Sequence, residues 1–153
     1  MERTFFITSI TAQRRTIFQR DSTANLLIEV LLHYRADKKY LLHEFVIMPD
    51  HFHALITPSP DVSLERAAQF IKGGFSFRLK SRFPVWQPSF TNHRIRDYED
   101  FERHRDYILM NPVRAGLARR PDEYLFSSAT GKYSLDSAPQ GLKPLIERVR
   151  TPA

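Results

Sequence analysis

The order of strand and helix signals along this chain predicts an α+β fold: a ferredoxin-like antiparallel sheet with helices packed on one face. Three observations carry the prediction. A β-rich run, Phe5-Phe6-Ile7-Thr8-Ser9-Ile10-Thr11, precedes a stretch with helical spacing. Two long apolar β-type runs follow, separated only by Pro49-Asp50. The succession strand, helix, strand, strand, helix, strand is the ferredoxin-like order.

Each element has its own local reason. Asp21 or Ser22 can cap a first helix whose inner face is Leu26, Leu27, Val30, Leu31 and Tyr34. Lys38-Lys39 mark the turn that follows. Tyr40 to Met48 and His51 to Thr57 read as strands, and a tight turn at Pro49-Asp50 makes them a hairpin. Pro58-Ser59-Pro60 ends it. Ser63 caps a long helix running to about Lys80, with Leu64, Ala67, Ala68, Ile71 and Phe75 inward. Gly73-Gly74 weakens that helix, by roughly 1 kcal/mol per glycine. The segment from Pro84 to Pro88 is loop, and Thr91 to Arg96 can form a short fourth strand. Asp97, with Asp100 three residues on, caps a last helix carrying Phe101, Arg105, Ile108 and Leu109. The proline of Asn111-Pro112 is expected to stop it. Residues 1–130 form one domain in this reading. Residues 131–153 are a tail in which Leu142, Leu145, Ile146 and Val149 can make a short helix.

The chain of 153 residues suffices for one buried core. No segment approaches the ~20 apolar residues of a membrane span. The N-terminus, Met1-Glu2-Arg3-Thr4, lacks a signal-peptide layout. Absence of cysteine excludes disulfides and thiolate metal sites. A cytoplasmic location is therefore expected. The net charge is +6, and arginine dominates the basic residues. Its planar fork suits phosphate, so nucleic acid is the expected partner.

The chemistry begins at Pro49-Asp50-His51-Phe52-His53-Ala54-Leu55-Ile56. Strand side chains alternate faces, so His51 and His53 point one way and Phe52 the other. Two imidazoles roughly 7 Å apart along a strand can share a metal ion. A pair of half-buried histidines bonded to their neighbours is the plainer alternative. Polar groups in so apolar a strand nevertheless need a reason. Glu44 falls on the histidine face, diagonal to His53, where it is a candidate ligand or supporting acceptor. Downstream, Tyr107 and Asn111 lie four apart and share a helix face. A phenol, with an ordinary pKa of about 10, attacks only when a cation, base or metal helps. Candidate nucleic-acid contacts are Lys72 and Arg78, flanking the double glycine, Arg94 and Arg96, alternating on one face of the fourth strand, and Arg114. The glycine pair can admit a nucleic-acid backbone or be a mere helix defect. Trp86, Phe90 and Phe83 are candidates for stacking on bases or for the core.

These motifs together resemble a known family. Pro49-Asp50-His51-Phe52-His53, followed by Tyr107-x-x-x-Asn111-Pro112-Val113-Arg114-Ala115-Gly116-Leu117, is similar to the single-tyrosine transposases with a His-hydrophobic-His (HUH) motif. The nearer likeness is to their REP-associated branch. It includes Ile71-Lys72-Gly73-Gly74-Phe75-Ser76-Phe77-Arg78, Trp86-Gln87-Pro88-Ser89-Phe90 and Tyr124-Leu125-Phe126-Ser127-Ser128, and covers roughly residues 4 to 130. The resemblance implies a DNA strand transferase that cleaves and rejoins single-stranded DNA through a 5′-phosphotyrosine intermediate, at hairpin-forming ends. It implies Tyr107 as nucleophile, with His51, His53 and Asn111 holding Mg²⁺ or Mn²⁺. The assembly implied is a monomer or a homodimer. Two alternatives stay open at this level: a non-catalytic single-stranded nucleic-acid-binding module, and a metal-dependent phosphodiesterase without a covalent intermediate.

Overall fold

A computed structural model describes residues 2–142. Strands β1 (Phe5–Ile10), β2 (Tyr40–Met48), β3 (His51–Pro58) and β4 (Thr91–Arg94) form one sheet in the order β2-β3-β1-β4. Each neighbouring pair runs antiparallel. Helices α1 (Asp21–Ala36) and α2 (Leu64–Leu79) make the two ferredoxin-like crossovers, and α3 (Tyr98–Arg114) follows β4. The α+β sheet and the order of its strands thus follow the sequence reading.

The placement of the helices corrects it. Phe52, Ala54 and Ile56 of β3 pack with Leu27, Leu31, Ile71 and Phe75 of α1 and α2. Leu55, on the opposite face of β3, packs with Val46, Phe101 and Ile108, the last two from α3. Helices therefore cover both faces rather than one. The reason lies in β3, where every residue between its two ends is buried. A strand that is apolar on both sides needs a cover on both sides.

α3 also runs past the expected stop, through Asn111 and Pro112 to Arg114. Pro112 is buried in its last turn. The stop comes instead from Gly116, two residues past the helix end, whose φ of 76° only glycine adopts freely. There the Leu117 amide donates to the Pro112 carbonyl at 2.8 Å. Two caps stand as read. The Ser63 hydroxyl accepts from the Arg66 amide, and the Asp97 carboxylate from the Asp100 amide.

The segment after residue 130 docks on the domain. Asp136 takes two hydrogen bonds from Arg35, at 2.9 and 3.1 Å, and one from the Leu42 amide at 2.9 Å. Buried His43 donates from Nδ1 to the Ser137 carbonyl at 2.8 Å, which leaves its Nε2 to accept from Thr57 Oγ1 at 2.8 Å. These bonds fix the β2 edge, where a bulge between Leu42 and Glu44 shifts the register. The expected short helix from Leu142 onward lies largely outside the described residues.

Candidate metal and tyrosine site

Register sets the floor of the site. Val46 pairs with His53 and Met48 with His51 across β2 and β3, while Thr8 and Ile10 pair with them across β1. The two imidazoles share a face, with ring centroids 4.8 Å apart. α3 crosses this same face. His104, Tyr107, Asn111 and Arg114 follow one another at three- and four-residue spacing, so they line one side of α3. The Tyr107 ring stands edge-on to His53 at 5.4 Å between centroids. Phe6 fills the angle between them, stacked on His53 at 5.1 Å and edge-on to Tyr107 at 5.9 Å. Tyr107 keeps 44% of its surface exposed, which a nucleophile toward a large substrate requires. Histidines and tyrosine converge within one chain.

The hydrogen bonds fix which nitrogens are free. His51 Nδ1 lies 2.7 Å from Asp50 Oδ1. Burial would raise the Asp50 carboxyl, but its bonds to His51 and Arg14 outweigh that and hold it below its ordinary range. An ionised carboxylate only accepts, so Nδ1 of His51 carries a proton, and in the neutral imidazole Nε2 holds the lone pair. His53 Nδ1 is 2.7 Å from Thr8 Oγ1. Burial, aided by the neighbouring His51, pushes the His53 pKa down to about 3, so this ring is neutral near pH 7. Its Nε2 is buried without a hydrogen-bond partner. Such an orphaned buried polar atom is costly. A divalent cation answers it, because metals bind the neutral imidazole. Asn111 sits half-buried one turn beyond Tyr107, its carboxamide free of hydrogen bonds among the described residues. The two imidazoles therefore fit a metal ion, with Asn111 on the same side of α3 as Tyr107.

The other candidates are distributed differently. Arg114 joins the site, its guanidinium 5.5 Å from the Tyr107 ring centroid. Glu44 accepts a 2.6 Å hydrogen bond from the Ser128 hydroxyl. Desolvation raises its carboxyl above the ordinary range. Lys72 donates to the Gln87 and Ser89 carbonyls at 3.1 and 3.3 Å, tying α2 to a loop. Arg78 is exposed near the end of α2. Arg94 and Arg96, both exposed, line with Arg3 a basic hollow of about 440 Å³ near the β4 edge. Trp86 packs in the core on Phe18, Phe52 and Phe75, and Phe90 also packs against the core, whereas Phe83 is exposed.

Sequence reading missed five neighbours of the site: Phe6, Thr8, Asp50, His93 and His104. His93, Asp100 and His104 place three ligand atoms within 4.8 Å of one another, a group able to hold a metal. Its carboxylate is already engaged. Asp100 Oδ2 accepts from His93 Nε2 at 2.8 Å and from the Arg96 amide at 2.9 Å, and Oδ1 from Arg103 at 3.2 Å. Burial opposes ionisation, yet the Arg96 amide and His93 together hold the Asp100 pKa at about 2. Only the i, i+3 relation of His104 to Tyr107 was readable beforehand.

The fold and the site define a single-tyrosine DNA strand transferase with a His-hydrophobic-His pair. Residues 4–110 match the family model described as Transposase IS200 like. A REP-associated tyrosine transposase of Escherichia coli (strain K12) is 31% identical over 121 residues, covering 74% of this chain and 72% of the relative. A relative from Haemophilus influenzae is 28% identical over 134 residues, covering 74% and 76%. A solved REP-associated tyrosine transposase bound to a REP hairpin overlays with a TM-score of 0.72 at 27% identity, covering 93% of this chain and 88% of that one. The chain belongs to the IS200-like transposase family. No helix among the described residues is long and apolar enough to cross a membrane.

Proposed function

We propose that this transposase cleaves and rejoins hairpin-forming single-stranded DNA with Tyr107 as nucleophile, and that one chain supplies the whole active site. The observation that carries the reading is the edge-on contact of Tyr107 with His53, whose Nε2 is a buried nitrogen without a hydrogen-bond partner. A divalent ion, Mg²⁺ or Mn²⁺, held by His51, His53 and Asn111, would supply Lewis acidity toward a phosphate oxygen. Tyr107 Oη forms the new bond to phosphorus, and the 3′-oxygen leaves as a hydroxyl. The phosphotyrosyl ester conserves the bond energy for rejoining. Arg114 sets its guanidinium over the Tyr107 ring, where it can meet the phosphate that Tyr107 attacks. Exposed Arg78, Arg94 and Arg96 are placed to hold other phosphates. Lys72 contributes charge but spends its donors on loop carbonyls.

The test is a denaturing gel of labelled single-stranded hairpin DNA incubated with protein and Mn²⁺. A covalent protein–DNA adduct that disappears in Tyr107→Phe is the expected result. Cleavage without adduct, surviving that substitution, would overturn the covalent step, and binding without cleavage would overturn the activity altogether.

A further inference from the structure

Asp50 lies between the two halves of the β2–β3 hairpin and immediately precedes the first histidine. Each of its carboxylate oxygens has one side-chain partner. His51 Nδ1 donates to Oδ1 at 2.7 Å, and Arg14 Nη1 donates to Oδ2 at 3.2 Å. Its backbone is clamped separately. The Asp50 carbonyl accepts from the Thr11 amide at 2.9 Å and from Thr11 Oγ1 at 3.1 Å, and the Pro49 carbonyl accepts from the Phe18 amide at 3.0 Å. The segment that makes these bonds is strained. Gln13 and Arg14, neither of them glycine, adopt φ of 57° and 51° in succession. Consecutive left-handed residues are uncommon, and strain of this kind persists where the surroundings demand it. Here the strained pair carries Arg14 to the carboxylate.

We infer that Asp50, steadied by Arg14, is a positioning residue that fixes the His51 ring with its proton on Nδ1 and its Nε2 lone pair toward the metal position. The inference rests on the metal reading proposed above. A carboxylate behind a ligating imidazole selects the tautomer, removes rotational freedom from the ring and raises its basicity. Arg14 is exposed, so as an ion pair it contributes little to stability. Its effect is on geometry: it occupies the oxygen that would otherwise let the Asp50 carboxylate rotate. Thr8 does the corresponding service for His53 with a neutral hydroxyl, which can donate or accept and so selects no tautomer.

Two readouts test this on the full chain. The first is ¹⁵N–¹H NMR of the histidine rings in metal-free protein at neutral pH. The wild type is expected to hold His51 in the Nδ1–H form, and Asp50→Ala to lose that preference while His53 keeps its shifts. The second is Mn²⁺ binding by calorimetry without DNA. Asp50→Ala is expected to weaken affinity by about 10- to 100-fold, and Arg14→Ala by about two- to fivefold. Wild-type affinity and an unchanged His51 tautomer in Asp50→Ala would overturn the inference. Should that variant not fold, Arg14→Ala decides, since its exposed side chain carries no fold, and wild-type behaviour in both readouts overturns it. Failure of the underlying metal reading looks different: His51→Ala would bind Mn²⁺ as tightly as wild type, and the tautomer measurement would still decide the role of Asp50.

Discussion

Gly73 and Gly74 are adjacent in α2, yet alanine at each should act in opposite directions. A Cβ built on Gly74 would lie 2.8 Å from Tyr34 Cε2, 3.1 Å from its hydroxyl and 3.3 Å from Val30 Cγ1. Both neighbours belong to α1, so this glycine marks the close approach of the two helices. The Tyr34 ring is not free to swing away, because it stacks on Phe70 at 5.2 Å and meets His33 edge-on at 4.8 Å. Forcing a methyl into such packing costs ~1–3 kcal/mol, against a helix-propensity gain of about 1 kcal/mol. A Cβ on Gly73 meets nothing within 4 Å, so there the gain stands alone. Gly73→Ala should stabilise by about 1 kcal/mol, and Gly74→Ala should destabilise by about 1 kcal/mol net. For a domain of this size that gap of ~2 kcal/mol separates the two melting temperatures by roughly 6 °C. Thermal unfolding followed by circular dichroism measures it. Equal melting temperatures, or Gly74→Ala the more stable, would refute the packing argument. The same pair answers whether the glycines admit a nucleic-acid backbone: on the packing account Gly73→Ala binds hairpin DNA with unchanged affinity, and weakened binding would show the close approach.

Further outcomes follow from the site. Asp100 ionises at about 2 rather than the ordinary 3.8, so its stabilisation is complete above about pH 4 and is lost as the pH falls toward 2. The shift corresponds to about 2 kcal/mol, and acid unfolding of wild type should be steeper than that of Asp100→Asn by that amount; parallel curves would count against it. Arg114→Ala should slow adduct formation by about two- to fivefold through loss of the cation over Tyr107, read by single-turnover gels, and an unchanged rate would remove the assigned role. If three phosphates are held, the affinity for single-stranded DNA should fall with salt at a log–log slope near −2. A flat response would leave Arg78, Arg94 and Arg96 without their function.

Much of this was legible in the sequence because local rules sufficed. The hairpin followed from two apolar runs around Pro49-Asp50, and strand alternation alone put His51 and His53 on one face. Helical spacing put Tyr107 beside Asn111. What local rules could not supply was the partner across space. Phe6 and Thr8 lie on a strand more than forty residues before the histidines, and only the register of β1 against β3 brings them there. Lys72 looked like a free cation on a helix until the loop at Gln87 and Ser89 took its donors. The placement of helices on one face failed for a reason β3 itself contained. Phe52, Ala54 and Ile56 alternate with His53 and Leu55, so both faces of the strand are apolar enough to need cover. The proline of Asn111-Pro112 does not stop α3, which carries it in its last turn and is terminated only by the left-handed Gly116.

The most direct measurement mixes two inactive proteins. One carries His51→Ala and His53→Ala but keeps Tyr107; the other carries Tyr107→Phe but keeps both histidines. Wild type should form the covalent adduct with hairpin DNA and Mn²⁺, and the equimolar mixture should form none, because imidazoles and phenol must belong to the same polypeptide. An adduct on the double-histidine variant in the mixture, at a yield near that of wild type, would contradict the one-chain site.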